Sequence, residues 1–276
     1  MVRIIRDFFY LIPNFHIFAD MDMKGTLKKG VAGMMDMFLP RVCIVCGCRL
    51  LRHERHLCLG CHMDMPLTRF WERSHNPMSD RFNEVIQAGI DPGGAHEPYA
   101  YAAALFLYHS EAGYRHIPYQ IKYHGNFKAG EHFGAMLGKK LADSPLYKDV
   151  DMVIPVPLHW TRKWKRGYNQ AEVIASALAR ELHVPMRTDI LLRKRRTKTQ
   201  TKLDIKEKAR NVAGAFAVAE DARAIFRGGG SVRHIVLVDD VFTTGSTLGA
   251  CHAALRPFFP RNVRISIATL GFVGDI

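Results

Sequence analysis

The sequence contains no run of the ~18 uninterrupted apolar residues that a membrane-spanning helix requires, which excludes a helical membrane span as an organising feature. It has no GxxxxGK(S/T) phosphate loop either. The nearest approach, Gly134-Ala-Met-Leu-Gly138-Lys139-Lys140, is one residue short and carries lysine where serine or threonine is needed. The consecutive glycines Gly228, Gly229 and Gly230 precede a strand but lack dinucleotide-binding spacing, so they read as a flexible connection. No internal repeat is present. Acidic residues are scarce, 26 against 39 lysines and arginines, for a formal net charge of +13 over 276 residues. That balance biases partners toward nucleotides, nucleic acid or an anionic membrane face. The N-terminal FFYLI, Phe8 to Ile12, ends at Pro13 and is too short for a signal peptide, and no small-residue cleavage site follows it. A cytoplasmic protein is expected, with residues 1–26 as an extension, of which residues 1–20 are either poorly ordered or upstream of the true start.

Cysteine is almost confined to one cluster. Five of six fall in CIVCGCRLLRHERHLCLGC, and Cys251 alone lies in a later apolar helix, where it reads as core. Cys43-x2-Cys46 and Cys58-x2-Cys61, separated by eleven residues, supply four thiolates for a tetrahedral ion, with Gly47 and Gly60 suiting the tight turns. An all-cysteine set predicts a closed structural zinc site, one ion per chain. The alternatives are disulfides, which a cytoplasmic setting disfavours, and metal-free thiols. Cys48 is a spare thiol, and His53, His56 and His62 read as surface residues.

Helical spacing over Leu27–Leu39 stops at Pro40, so residues 27–66 form a helix plus the double-CxxC module. Residues 67–98 are rich in breakers (Asn76-Pro77, Asp91-Pro92-Gly93-Gly94, Glu97-Pro98) and read as an irregular linker. From residue 99 to 276 strands and helices alternate. Strands are expected at 102–108, 151–158, 189–192, 214–218, 234–238 and 263–270. Helices are expected at 114–123, 128–141, 170 to about 183, and 245–256. Asn169 and Glu172 have capping-box spacing at the third helix and Pro185 marks its end. The pattern predicts an α/β fold: a doubly wound, mainly parallel sheet with a small N-terminal zinc-binding module.

The chemistry concentrates in IVLVDDVFTTGSTL, Ile235 to Leu248. Ile235 to Val238 has the composition of a strand buried on both faces, and ligands of such sheets bind at the carboxyl ends of strands. Asp239 and Asp240 are placed at such an end. Thr243, Thr244, Gly245, Ser246 and Thr247 then lead into a helix whose first amides and dipole suit a phosphate monoester. The carboxylates are poor phosphate ligands. They fit ribose hydroxyls, as acceptors or through hydrated Mg²⁺.

This stretch resembles the motif of type I phosphoribosyltransferases that binds phosphoribosyl pyrophosphate (PRPP). The chain as a whole, over about residues 27–272, resembles the ComF family of competence proteins. Further support comes from the four-cysteine module, from Pro155-Val156-Pro157-Leu158 followed by Arg166-Gly167-Tyr168-Asn169-Gln170, and from Gln200-x-x-Leu203 with Asn211-Val212-Ala213-Gly214-Ala215-Phe216. The resemblance implies PRPP binding with Mg²⁺, Asp239 and Asp240 as candidate catalytic residues, and a pyrophosphate loop at Pro157 and Leu158. It also implies a mobile lid ending near Asn211. Basic candidates are Lys122, Arg162, Lys163, Arg166 and Arg196. Relatives commonly carry arginine where this chain has Lys208, which cannot make the planar two-pronged contact. An acceptor for transfer is not identified by any motif, and retention of the fold for binding alone stays open.

Trp160, Trp164 and Tyr168 interleave with cations in HWTRKWKRGYNQ, and LLRKRRTKTQTK is a basic run. Such segments can stack bases and track a phosphate backbone. Single-stranded DNA and proteins of the DNA-uptake machinery are therefore the second class of partner. The alternative to a phosphoribosyltransferase is a non-catalytic DNA-binding or adaptor protein that keeps the fold.

Overall fold

The computed structural model describes residues 40–88, 97–109, 112–159, 161, 164, 166–194, 214–222 and 232–274. The expected extension, the helix at 27–39 and the lid segment lie outside them. The chain divides into two compact units, with the boundary after Met63.

In the first unit, Val42 and Arg49 bridge antiparallel, closing a tight loop in which Gly47 donates to the Cys43 carbonyl at 2.9 Å. Gly47 adopts φ 75°, a left-handed conformation costly for any other residue. A five-residue helix α1, Leu59–Met63, follows the second knuckle.

In the second unit, residues expected to be an irregular linker fold instead. Phe70–Glu72 form a 3-10 turn, and Pro77–Gln87 form a helix, α2. Asn76-Pro77, which reads as a breaker, is a helix start. The Asn76 side chain accepts from the backbone N–H groups of Met78 and Ser79, Ser79 returns the bond to the Asn76 N–H, and proline occupies the first turn where its missing donor costs nothing. Met78, Phe82 and Ile86 face the core at helical spacing.

The sheet follows from four apolar segments, β1 (Ala102–Leu107), β2 (Met152–Pro155), β5 (His234–Phe242) and β6 (Arg264–Phe272). They pair in the order β1-β6-β5-β2, all parallel. The segments expected as further strands, β3 (Leu191–Arg193) and β4 (Phe216–Val218), form a separate antiparallel pair. Helices α3 (His116–Tyr123), α4 (Phe127–Ala142), α5 (Gln170–Leu182) and α6 (Ser246–Leu255) accompany the sheet among the described residues. One core joins α2 and α6 to Ile235, Leu237, Ile265 and Ile267.

Gly130, Gly134 and Gly138 recur every four residues along α4, where it packs on α5. A Cβ at Gly134 would lie 2.7 Å from the Ile174 carbonyl oxygen. The stretch that approaches a phosphate-loop pattern is thus a helix-packing stripe. It seats α5, whose first turn adjoins the end of β2: Asn169 donates to the Val156 carbonyl at 3.0 Å and accepts from the Ala171 N–H.

Candidate functional site

β5 is longer than expected and carries both acids within it. Side chains alternate along a strand, so the two acids leave on opposite faces. Asp239 shares its face with Ile235 and Leu237, against which α6 packs. Asp240 emerges on the other face and meets Lys122, at the end of α3, with Nζ 2.9 Å from Oδ2. The two carboxylates can serve one ligand only across the end of the strand. They are also linked locally, the Asp240 N–H donating to Asp239 Oδ1 at 2.9 Å. Burial and the adjacent Asp240 carboxylate push Asp239 up to about 7, against the opposing pull of the Asp240 N–H, Lys122 and Arg193.

The turn after β5 opens α6 as the sequence suggests. Gly245 is the N-cap, with φ 76°, and no side chain caps the helix from that position. A Cβ there would also press within 3.0 Å of the Phe242 ring, so glycine is required twice over. Thr244 Oγ1 and Ser246 Oγ are 2.8 Å apart. The turn is anchored by Arg81 on α2, which donates to the carbonyls of Thr243 at 3.1 Å and Val273 at 3.0 Å. Sequence reasoning missed Arg81, because it sits 162 residues from the carbonyl it holds.

Other expected residues gather at the same carboxyl edge. Pro157 and Leu158 follow β2 and are half-buried. Val156 donates to the Val238 carbonyl at 2.8 Å, which ties that turn to β5. The Arg166 guanidinium lies 5.3 Å over the Tyr123 ring, beside Lys122. Tyr168 is buried against Phe127, ring centroids 4.2 Å apart, and its hydroxyl has no hydrogen-bond partner among the described residues. Burial pushes the Tyr168 phenol up to about 12; Arg166 opposes this and Asp240 adds to it. Arg162, Lys163 and Arg196 lie outside the described residues, as do Trp160 and Lys165.

In the first unit, one ligand atom from each of Cys43, Cys46, Cys58 and Cys61 falls within 4.8 Å of every other. Cys46 Sγ and Cys58 Sγ are 3.7 Å apart. Four sulfurs around zinc at about 2.3 Å would be about 3.8 Å from one another, so the donor set fits that ion. Cys46 is pulled down to about 6: burial works against ionisation, but hydrogen bonds from Cys48, Cys61 and Cys43 outweigh it. Glu54, which the sequence did not single out, holds the loop between the knuckles. Its carboxylate accepts from the N–H groups of Leu51 and Leu59, each at 2.7 Å.

A parallel sheet with helices, acids at a strand end and a small-residue turn opening a helix define a domain of the type I phosphoribosyltransferase fold. The match to the phosphoribosyl transferase domain family covers residues 169–271. Competence protein F of Haemophilus influenzae is 36% identical over 115 residues, 42% of this chain and 48% of that protein. DNA utilization protein YhgH of Escherichia coli (strain K12) is 37% identical over 98 residues, 36% of this chain and 40% of that protein. Competence protein ComFC of Bacillus subtilis is 28% identical over 134 residues, 47% of this chain and 48% of that protein. The chain is similar to these competence and DNA utilization proteins over aligned stretches that span less than half the length of each. No described helix is long and apolar enough to cross a membrane.

Proposed function

We propose that the second unit binds PRPP with Mg²⁺ at the carboxyl end of β5. The observation that carries this is the conjunction of Asp239 and Asp240 with the glycine-led start of α6 in one turn of chain. The ribose diol would sit on the carboxylates and the 5-phosphate on the turn from Thr243 to Thr247. The pyrophosphate would face the turn at Pro157 and Leu158, with Arg166 and the cations around it. Asp239 and Asp240 would hold a hydrated Mg²⁺, which would supply charge neutralisation for the departing pyrophosphate. The reaction open to such a complex is attack by a nucleophile at C1 as pyrophosphate departs, and the residues would act by positioning and charge stabilisation. The unit is tested by calorimetry with PRPP and Mg²⁺, comparing wild type with the Asp239→Asn, Asp240→Asn double variant. Equal affinity in the two would remove the assignment.

The names of the relatives, competence proteins and DNA utilization proteins, support a role in DNA uptake or in the use of external DNA, and a cytoplasmic location is proposed with it. One observation favours a second reading alongside the first, single-stranded DNA binding. Tyr119, Tyr123, Phe127 and Trp164 are exposed, Tyr119 and Tyr123 have ring centroids 4.9 Å apart, and Arg166 covers Tyr123. Such a surface can stack bases while its cations track phosphates. Binding of an oligonucleotide that weakens steeply with salt supports it; no binding at low salt removes it. The four cysteines are proposed as a closed structural zinc site.

A further inference from the structure

The resemblance groups Lys122 with cations that would face pyrophosphate. The geometry points to another role: we infer that Lys122 is a positioning residue, which holds the Asp240 carboxylate in the orientation that accepts a ribose hydroxyl. This rests on the PRPP reading of the site.

Four observations support it. Lys122 lies in the last turn of α3, where the helix dipole favours a cation, and its side chain is only one-third exposed. Its ammonium is committed to Asp240 Oδ2 at 2.9 Å. Among the described residues no donor is seated on Oδ1, so one oxygen of the carboxylate is fixed and the other is presented. Finally, Asp240 is almost wholly buried and adjacent to a second carboxylate. Without a cation on its own face of the sheet, Asp240 would be free to change rotamer or to share a proton with its neighbour, and either change removes an acceptor. Asp239 has no equivalent ion pair among the described residues, and its carboxylate is instead held by the Asp240 N–H. The two acids are thus set by different means: one by the backbone and one by α3. It follows that a shift in the end of α3, including its exposed Tyr119 and Tyr123 face, would be transmitted to the ribose grip through one side chain.

A double-mutant cycle separates positioning from direct contact. PRPP affinity with Mg²⁺ is measured by calorimetry for wild type, Lys122→Met, Asp240→Asn and the pair, with circular dichroism and urea unfolding reporting that each variant is folded. Contacting residues typically couple by about 0.5–3 kcal/mol, a factor of roughly two to 150. The expected loss is about tenfold for Lys122→Met in the wild-type background and within about twofold in the Asp240→Asn background. Lys122→Arg, which can still reach one oxygen, should recover most of the affinity. Losses that add in the double variant mean that Lys122 touches the ligand itself and overturn the inference. Unchanged or tighter binding by Lys122→Met overturns it as well. Failure of the wild type to bind PRPP is a different result: it withdraws the ribose-phosphate reading, and this inference falls with it.

Discussion

The stripe of glycines on α4 gives a sharp test of how the site is seated. Replacing Gly134 by alanine should gain about 0.8–1.0 kcal/mol of helix propensity at an interior position. Against that gain stands the packing. The new methyl carbon would sit 2.7 Å from the Ile174 carbonyl oxygen, 3.1 Å from the Ile174 Cα and 3.1 Å from the Ala177 Cβ. Two of these are backbone atoms, which no rotamer change can move, so α5 must retreat. Overpacking of this kind costs about 1–3 kcal/mol, and a rigid neighbour puts it at the upper end. The net effect is a destabilisation of about 1–2 kcal/mol, or a fall in Tm of about 2–8 °C for a domain of this size. Gly130→Ala is the control. Its methyl would meet Val173 Cγ1 at 2.9 Å, the end of a side chain, so it should lie close to wild type. The assay is thermal unfolding followed by circular dichroism. PRPP affinity of folded Gly134→Ala should remain near wild type, since this stretch is not a phosphate loop. A Gly134→Ala protein at least as stable as wild type would refute the close-approach argument.

Three further outcomes are expected. His234 is fully buried between Asp149, at 2.8 Å, and Ser266, at 2.7 Å, and burial holds its imidazole below the usual value; burial also lowers His252 to about 4. These two histidines therefore bind fewer protons in the folded state than in the unfolded chain, whereas Asp239, raised to about 7, binds more. The stability the histidines contribute is complete above about pH 6.5 and is lost as pH falls below it, so in an Asp239→Asn background, which removes the opposing group, the urea midpoint should drop from pH 7 to pH 5. A flat profile would contradict this. Metal analysis of protein purified without chelator should find one zinc per chain. Glu54→Gln, which weakens two backbone bonds between the knuckles, should lower zinc affinity by about tenfold in chelator competition. An unchanged affinity would mean that the loop holds itself. Arg81→Met removes both carbonyl contacts at the turn after β5 and should weaken PRPP binding by roughly five- to tenfold, in line with the loss of hydrogen bonds from a charged donor. An unaltered isotherm would show that the turn needs no such anchor.

Periodicity and composition carried the parallel sheet and its helices, because Ile235–Val238 and the apolar face of α5 are local signals. The same holds for the cysteine pairs and for the acid-rich strand end, whose meaning lies in adjacent residues. Three features were not legible. α2 was hidden because Asn76-Pro77 marks a break and a helix start equally well, and only the cap bonds distinguish them. The separation of β3 and β4 from the main sheet depends on pairing across a long stretch of chain, which no window detects. The partners of the site, Lys122 for Asp240 and Arg81 for the turn, are distant in sequence and were brought in by the fold. The opposite facing of Asp239 and Asp240 follows from strand alternation once β5 is known to run through Phe242 rather than stop at Val238.

The most direct measurement is the affinity of PRPP in the presence of Mg²⁺ for wild type and for the Asp239→Asn, Asp240→Asn variant. Saturable binding by the wild type, weakened at least tenfold in a variant that unfolds at a similar urea concentration, is the outcome expected when two charge-assisted hydrogen bonds are lost. Identical isotherms, or no heat from either protein, would contradict the account.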